Sequence, residues 1–196
     1  MTAARPSPAS ITLRPHRPGD IGWIISRHGA LYAEEWGWSI DFEALVAEIG
    51  ARFLREFKPG LECCLIAERD GERLGCVAVV RLDATTAKLR LLLVEPAARG
   101  LRLGERLVAA AEDFARAAGY AGMTLWTQSC LLPARRLYAS RGWVLGETEA
   151  ASAFGVNLVS ETWSKALLPA PDPAQPLPSA PAQPLPSAPA QSPASA

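Results

Sequence analysis

Leu91–Gly104 reads LLLVEPAARGLRLG, an apolar run that ends at Pro96 and passes through a short loop into an Arg-Gly-x-x-x-Gly stretch. The run has the length and apolarity of a buried strand, and the residues after Gly100 take up a helical period. Leu103, Leu107, Val108, Ala111, Phe114 and Ala115 form the buried stripe of that helix, which ends at Gly119, a suitable left-handed cap. A strand feeding a helix in this way aims unpaired N–H groups and the positive end of the helix dipole at one spot. Such a spot suits an anion such as a pyrophosphate. Glycines there let backbone approach the anion, and Arg99 adds a fixed charge with a fork of donors. Spacing alone leaves a second reading open, in which the same residues only cap and pack a strand–loop–helix turn.

Working outward, the chain alternates. Ile11–Arg14 is a short strand closed by Pro15, and Pro18-Gly19-Asp20 opens a helix with Asp20 as its N-cap. Ile21, Ile24, Ile25, His28, Leu31 and Tyr32 share one apolar face of it. A second helix follows Asp41, carries Phe42, Leu45, Val46, Ile49, Phe53 and Phe57 at helical spacing, and stops at Pro59-Gly60. Three strands come next, Glu62–Glu68, Arg73–Leu82 and Ala87–Glu95, the first two joined at Asp70-Gly71. Beyond the central helix lie a strand at Met123–Thr127, a helix at Pro133–Arg141 stopped by Gly142, and strands at Trp143–Glu147 and Asn157–Lys165. The order β-α-α-β-β-β-α-β-α-β-β predicts an α/β domain over 11–167, with a mixed sheet and helices on both faces.

The flanks read differently. Residues 1–10 are rich in Pro, Ala and Ser and are expected to be disordered. From Pro173 the chain runs PAQPLPSA, PAQPLPSA, PAQSPASA, so 168–196 is expected to be an extended, disordered Pro/Ala-rich tail. That tail reads as a spacer or as a segment for a proline-reading partner.

With 20 basic and 20 acidic residues the net charge is zero, which argues against a nucleic-acid binder working through a general basic field. Cys63, Cys64, Cys76 and Cys130 form no Cys-x-x-Cys, and with only two histidines no metal site is expected. The cysteines read as reduced small hydrophobes of a cytoplasmic protein, and no apolar run reaches membrane-spanning length. His28 reads as a hydrogen-bonded core histidine, and too few histidines exist for a nucleophilic triad.

Three stretches carry a family resemblance. Arg99-Gly100-Leu101-Arg102-Leu103-Gly104 resembles the Arg/Gln-x-x-Gly-x-Gly/Ala motif of the GNAT acetyltransferase superfamily, and Leu93-Val94-Glu95-Pro96 resembles the end of that family's fourth strand. Ala134-Arg135-Arg136-Leu137-Tyr138 followed by Gly142-Trp143 is similar to its Ala-x-x-Leu-Tyr-x-x-x-Gly-Phe helix. More narrowly, AKLRLLLVEPAARG and SAFGVNLVSETW resemble GNAT domains often fused to MarR-type regulators, without a counterpart here of the DNA-binding domain. The resemblance implies the GNAT fold, a mostly antiparallel seven-stranded sheet with about four helices, and an N-acetyltransferase using acetyl-CoA and no metal. It further implies that Leu93 and Val94 pair with pantetheine, that backbone from Arg99 through Gly100, Leu101, Arg102 and Leu103 to Gly104 holds the pyrophosphate, and that Tyr138 protonates the leaving thiolate. An amine attacking a thioester at neutral pH is helped by a base. The carboxylates of Tyr32-Ala33-Glu34-Glu35-Trp36-Gly37-Trp38 fall where the family builds part of its acceptor pocket, making Glu35 and Glu34 the candidates, with Glu95 behind them. The partners implied are acetyl-CoA and a small-molecule or protein amine, with no nucleic acid and no membrane; a C-terminal edge strand offers a homodimer surface.

The sequence departs from the family pattern at three places. Arg102 stands where the pyrophosphate motif has glycine, either crowding the phosphate or folding back to bind it. Leu131 stands where asparagine is usual, and Ala151-Ser152-Ala153, without histidine, precedes Phe154-Gly155. The first two, with the proline-rich tail, motivate a reading of another class, a non-catalytic acyl-CoA-binding regulatory or interaction module.

Overall fold

The computed structural model describes residues 10–167. The expected tail, 168–196, and nearly all of the expected lead-in lie outside the described residues. Seven strands and four α-helices follow the anticipated order: β1 (Thr12–Pro15), α1 (Asp20–Trp36), α2 (Ile40–Glu56), β2 (Cys63–Arg69), β3 (Glu72–Arg81), β4 (Thr86–Val94), α3 (Leu103–Ala117), β5 (Gly122–Gln128), α4 (Leu132–Ser140), β6 (Val144–Ala153) and β7 (Val156–Ala166). The strands form one sheet in the order β1-β2-β3-β4-β5-β7-β6. Every neighbouring pair is antiparallel except β4–β5, which run parallel.

Each face of the sheet is covered because each strand alternates its side chains. On one face Leu103, Leu107, Val108 and Ala111 of α3 pack on Leu74, Val77, Val79 and Leu89, joined by Tyr138 of α4 and by Trp143 and Trp163. Burying a leucine such as Leu107 completely contributes about 1.5–3 kcal/mol. On the other face Ile21, Ile24 and Leu31 of α1 and Phe53 of α2 pack on Cys64, Ile66, Cys76 and Ala78. Cys63 and Cys64 therefore face opposite layers, as adjacent strand residues must. All four cysteines are free thiols.

The parallel pair is short. β4 and β5 are in register only from Thr86–Leu89 against Gly122–Leu125. Beyond Leu89 a bulge intervenes: Ala78 of β3 lies opposite Arg90 and Cys76 opposite Leu93, so Leu91 and Leu92 share one place in the ladder. Leu91 takes a left-handed backbone with φ 53°, and its carbonyl accepts a hydrogen bond from Cys76 Sγ at 3.1 Å. Gly75 makes the close backing possible, since a Cβ there would stand 2.6 Å from the Leu93 carbonyl oxygen. The bulge carries β4 away from β5 while keeping it paired to β3 as far as Val94.

Three expectations need correction. Asp20 is not the N-cap of α1; Gly19 holds that place, and the Asp20 carboxylate is buried. It receives Arg14 Nη1 at 2.6 Å, Arg73 Nε at 2.7 Å and the Arg17 backbone N–H at 2.7 Å, so distant cations use what local chemistry would have used as a cap. The central helix starts at Leu103 rather than near Gly100, because Arg102 is left-handed at φ 55°. The strand expected at Trp143–Glu147 continues to Ala153, paired throughout that extension to β7.

Glu112 was not anticipated. It lies buried on the sheet side of α3 and accepts from Arg141 Nη2 at 2.8 Å and Trp143 Nε1 at 2.9 Å, with Lys165 Nζ 2.9 Å away. One carboxylate thus ties α3 to the end of α4 and to β7. Burial pushes its pKa up, but the bonds from Arg141, Lys165 and Trp143 outweigh that and hold it below the usual range.

Candidate active site

Where β4 leaves β5, the sheet opens into two adjoining cavities. The first is a cleft of about 380 Å³ bordered by Leu92, Leu93 and Val94 of β4, the loop Arg99–Gly100, the start of α3 at Arg102, Leu103 and Gly104, and the first turns of α4. Helix α1 closes its other side with Leu31, Tyr32, Glu35 and Trp36. The second, about 120 Å³, lies between α1–α2 and β4–β5 and includes His28, Phe42, Arg90, Gln128 and Tyr138. Tyr32, Leu92, Leu131 and Ala134 border both, so the two meet at the splayed strands.

The cleft has the features of an anion and strand site together. Among the described residues no strand pairs with the β5-facing side of β4 beyond Leu89, which leaves backbone donors and acceptors along Leu92–Val94. At one end of that edge α3 begins, and the first four N–H groups of an α-helix have no partner within the helix. Gly100, at φ 77°, and left-handed Arg102 turn the loop into α3, whose first residues Leu103 and Gly104 border the cleft. Gly104 sits where α3 touches α4; a Cβ there would stand 3.3 Å from Leu137 Cδ2.

Of the residues expected to hold the cofactor, Leu93, Val94, Arg99, Gly100, Arg102, Leu103 and Gly104 border the cleft. Leu101 does not; it stands exposed at the tip of the loop. Arg102 is also turned out, with Nε 2.6 Å and Nη2 2.9 Å from the Glu105 carboxylate and its side chain 79% exposed. Arg99 Nη2 lies 2.6 Å from Glu35 Oε1, an ion pair that spans the cleft between the loop and α1. Leu131, in place of a polar residue, is buried among Trp38, Phe42, Val46 and Leu158.

The catalytic candidates fall in different places. Tyr138 lies on the wall of the second cavity, its ring packed 6.0 Å from Trp143 and 6.2 Å from Trp163. Burial raises its pKa, with a small addition from Tyr32, so the hydroxyl is held neutral. Glu35 borders only the first cavity, and Glu34 borders neither. Glu95 is held by both Nε and Nη2 of Arg27, at 2.6 and 2.8 Å.

Sequence reading missed two contributors. Tyr32 sits at the junction, within 4.6–5.0 Å of Phe42, Trp38 and Trp36 between ring centres, and burial raises its pKa too. His28 is the core histidine anticipated, with Nδ1 2.8 Å from the Ile24 carbonyl, yet its ring also borders the second cavity. The β6–β7 hairpin turns through left-handed Phe154 and Gly155, and Phe154 lies 5.1 Å from Trp38 while its carbonyl accepts from Ser39 N–H at 2.8 Å. The α1–α2 connection and the last hairpin are thereby locked together at the far end of this cavity.

Comparison with known proteins identifies the family and the fold. The model of the acetyltransferase (GNAT) family matches residues 28–143. An uncharacterised N-acetyltransferase of Schizosaccharomyces pombe is 36% identical over 113 residues, 57% of this chain and 69% of the relative. A mycothiol acetyltransferase of Sanguibacter keddieii is 31% identical over 147 residues, 71% of this chain and 45% of the relative. In fold, an acetyltransferase of Salmonella typhimurium solved with acetyl-CoA aligns with a TM-score of 0.64 at 21% identity, covering 85% of this chain and 100% of that one. Spermidine N-acetyltransferase of Vibrio cholerae, solved with CoA and spermine, aligns with a TM-score of 0.63 at 16% identity, covering 80% and 95%. With the matched region running from α1 through the cleft loop to the end of α4, the chain belongs to the GNAT acetyltransferase family and is an N-acetyltransferase.

Proposed function

We propose that the cleft takes acetyl-CoA as donor and that the acetyl group passes to the primary amine of a small molecule. The observation that carries this reading is the free edge of β4, which leads from the N-terminus of α3 directly to the cavity of Tyr138. Pantetheine adds to Leu93 and Val94 as a short extra strand. The pyrophosphate rests on the N–H groups of the α3 start, with Arg99 supplying charge once it exchanges Glu35 for phosphate. The residues fit the donor: an apolar slot for the chain and unpaired N–H groups for the phosphates.

At the junction of the cavities the amine nitrogen bonds to the thioester carbonyl carbon as the C–S bond breaks. The surplus proton of nitrogen leaves to water, the thiolate takes the proton of the Tyr138 hydroxyl, and water returns a proton to the Tyr138 oxygen to close the cycle. A phenol kept neutral by burial is the form able to give that proton. We assign Glu35 to positioning Arg99 rather than to taking the proton of the amine, since the ion pair engages it away from the second cavity.

The narrower kinship to domains fused to MarR-type regulators rests on AKLRLLLVEPAARG and SAFGVNLVSETW. Four free thiols fit a cytoplasmic setting, and no described helix is long and apolar enough to cross a membrane. Edge strand β6, exposed along nearly its whole length, offers the surface for a homodimer.

The test is release of thiol from acetyl-CoA with the purified protein and a panel of amines. Turnover on a small amine supports the reading; no turnover on any amine with CoA binding retained overturns it in favour of a non-catalytic acyl-CoA-binding module.

A further inference from the structure

The acceptor cavity is walled by aromatic and aliphatic side chains, and among the described residues its charge is of one sign. Tyr32, Trp38, Phe42 and Trp126 give it flat apolar walls, and among the described residues no carboxylate borders it. Its one permanently charged side chain is Arg90, on β4 immediately before the bulge.

Among the described residues Arg90 enters no ion pair, although it is partly buried. On its other side it borders a hollow shared with Lys88 and Arg52, which adds positive charge rather than cancelling it. The carboxylates there are otherwise engaged or solvated. Glu56 pairs with Arg52 at 3.0 Å, Glu62 accepts from the N–H groups of Lys58 and Arg81 at 3.0 Å, and Glu48 is exposed. Burial, helped by Arg52, lowers the Arg90 pKa, the mark of a desolvated cation without an anion. A partly buried charge left in this state is costly unless a ligand neutralises it.

We propose that the acceptor is an amine that also carries a carboxylate, of the α-amino acid type with an apolar or aromatic side chain, and that Arg90 binds the carboxylate. Arg90 on β4 and Tyr138 on α4 stand in walls of the same cavity, so anchoring the carboxylate at one leaves the amine for the junction where the thioester arrives. The aromatic walls take the side chain. A polyamine finds the opposite: no acid to hold its second cation and an arginine that repels it. This inference rests on the acetyltransferase reading, and it names the class of acceptor.

The test compares phenylalanine, phenylalaninamide, phenethylamine and spermidine as acceptors, by thiol release from acetyl-CoA with the full chain. Phenylalanine is expected to exceed the other three in kcat/KM by about 10- to 100-fold, the loss typical of one charge-assisted hydrogen-bonded contact. Arg90→Gln should erase that preference and leave KM for acetyl-CoA unmoved. Preference for the amide, phenethylamine or spermidine overturns the proposal, as does a preference for phenylalanine that survives Arg90→Gln. If no acceptor turns over while CoA still binds, the catalytic reading fails by itself. Calorimetry with N-acetylphenylalanine on the CoA-loaded protein then decides the carboxylate site. Binding lost in Arg90→Gln supports it, and no binding overturns it.

Discussion

Glu35 and Arg99 meet at 2.6 Å across the mouth of the cleft, one from the last turn of α1 and the other from the loop before α3. On the proposed reading the pair occupies the guanidinium that the pyrophosphate would need, so Glu35 and the phosphate would compete for Arg99. Glu35→Gln is expected to tighten CoA binding by about two- to fivefold, the worth of a half-exposed ion pair. Arg99→Ala should weaken it by about tenfold, both read by calorimetry. A general-base role for Glu35 predicts something else: kcat down by about 100-fold in Glu35→Gln with CoA affinity unimproved.

Tyr138→Phe removes the proposed proton donor and keeps the ring beside Trp143 and Trp163. Steady-state kinetics should show kcat lower by about 100-fold with KM for acetyl-CoA unchanged. A matching loss in Tyr32→Phe alone, with Tyr138→Phe near wild type, would move the acid to the junction tyrosine.

Arg102 holds a left-handed backbone that glycine adopts freely, and its side chain points at Glu105 rather than into the cleft. Arg102→Gly is expected to raise Tm by about 2–4 °C through relief of that conformation. CoA affinity should stay as it was. A gain in affinity would mean that the arginine crowds the phosphate, and a loss that it binds it.

His28 makes stability depend on pH in a definite direction. Burial lowers its pKa to about 4 from 6.5, partly opposed by the Ile24 carbonyl and the charge of Glu95. Below pH 6.5 the unfolded chain binds a proton that the folded chain refuses, so the contribution is complete above 6.5 and lost as pH falls to about 4. The loss amounts to roughly 3 kcal/mol. Urea unfolding between pH 7.5 and 4.5 should show that decline in the wild type and a shallower one in His28→Leu.

Periodicity and punctuation carried the element order, because amphipathic stripes and Gly or Pro stops are local properties. The cleft loop was legible for the same reason, since a helix start and its glycines lie within six residues. Leu91 was not. Nothing in a run of leucines tells which one turns left-handed; pairing with β3 and the space left by Gly75 decide it. Once that bulge breaks the alternation, the fate of Arg90 is hidden as well, because its neighbours come from α2, β5 and α4. Asp20 misled because Pro-Gly-Asp has the local chemistry of a cap, while the arginines that claim its carboxylate include Arg73, 53 residues away.

The brevity of the β4–β5 seam has a mechanical consequence. Four residue pairs join a leaf made of β1–β4 to a leaf made of β5, β7 and β6, so the sheet is a hinged book with a short spine. A donor placed as proposed along Leu92–Val94 would extend the β1–β4 leaf beside that seam and meet α4 at Pro133, Ala134 and Leu137 on the other wall of the cleft. A bound donor should therefore slow amide exchange along β4 and in the first turns of α4, bracing the seam from both walls of the cleft.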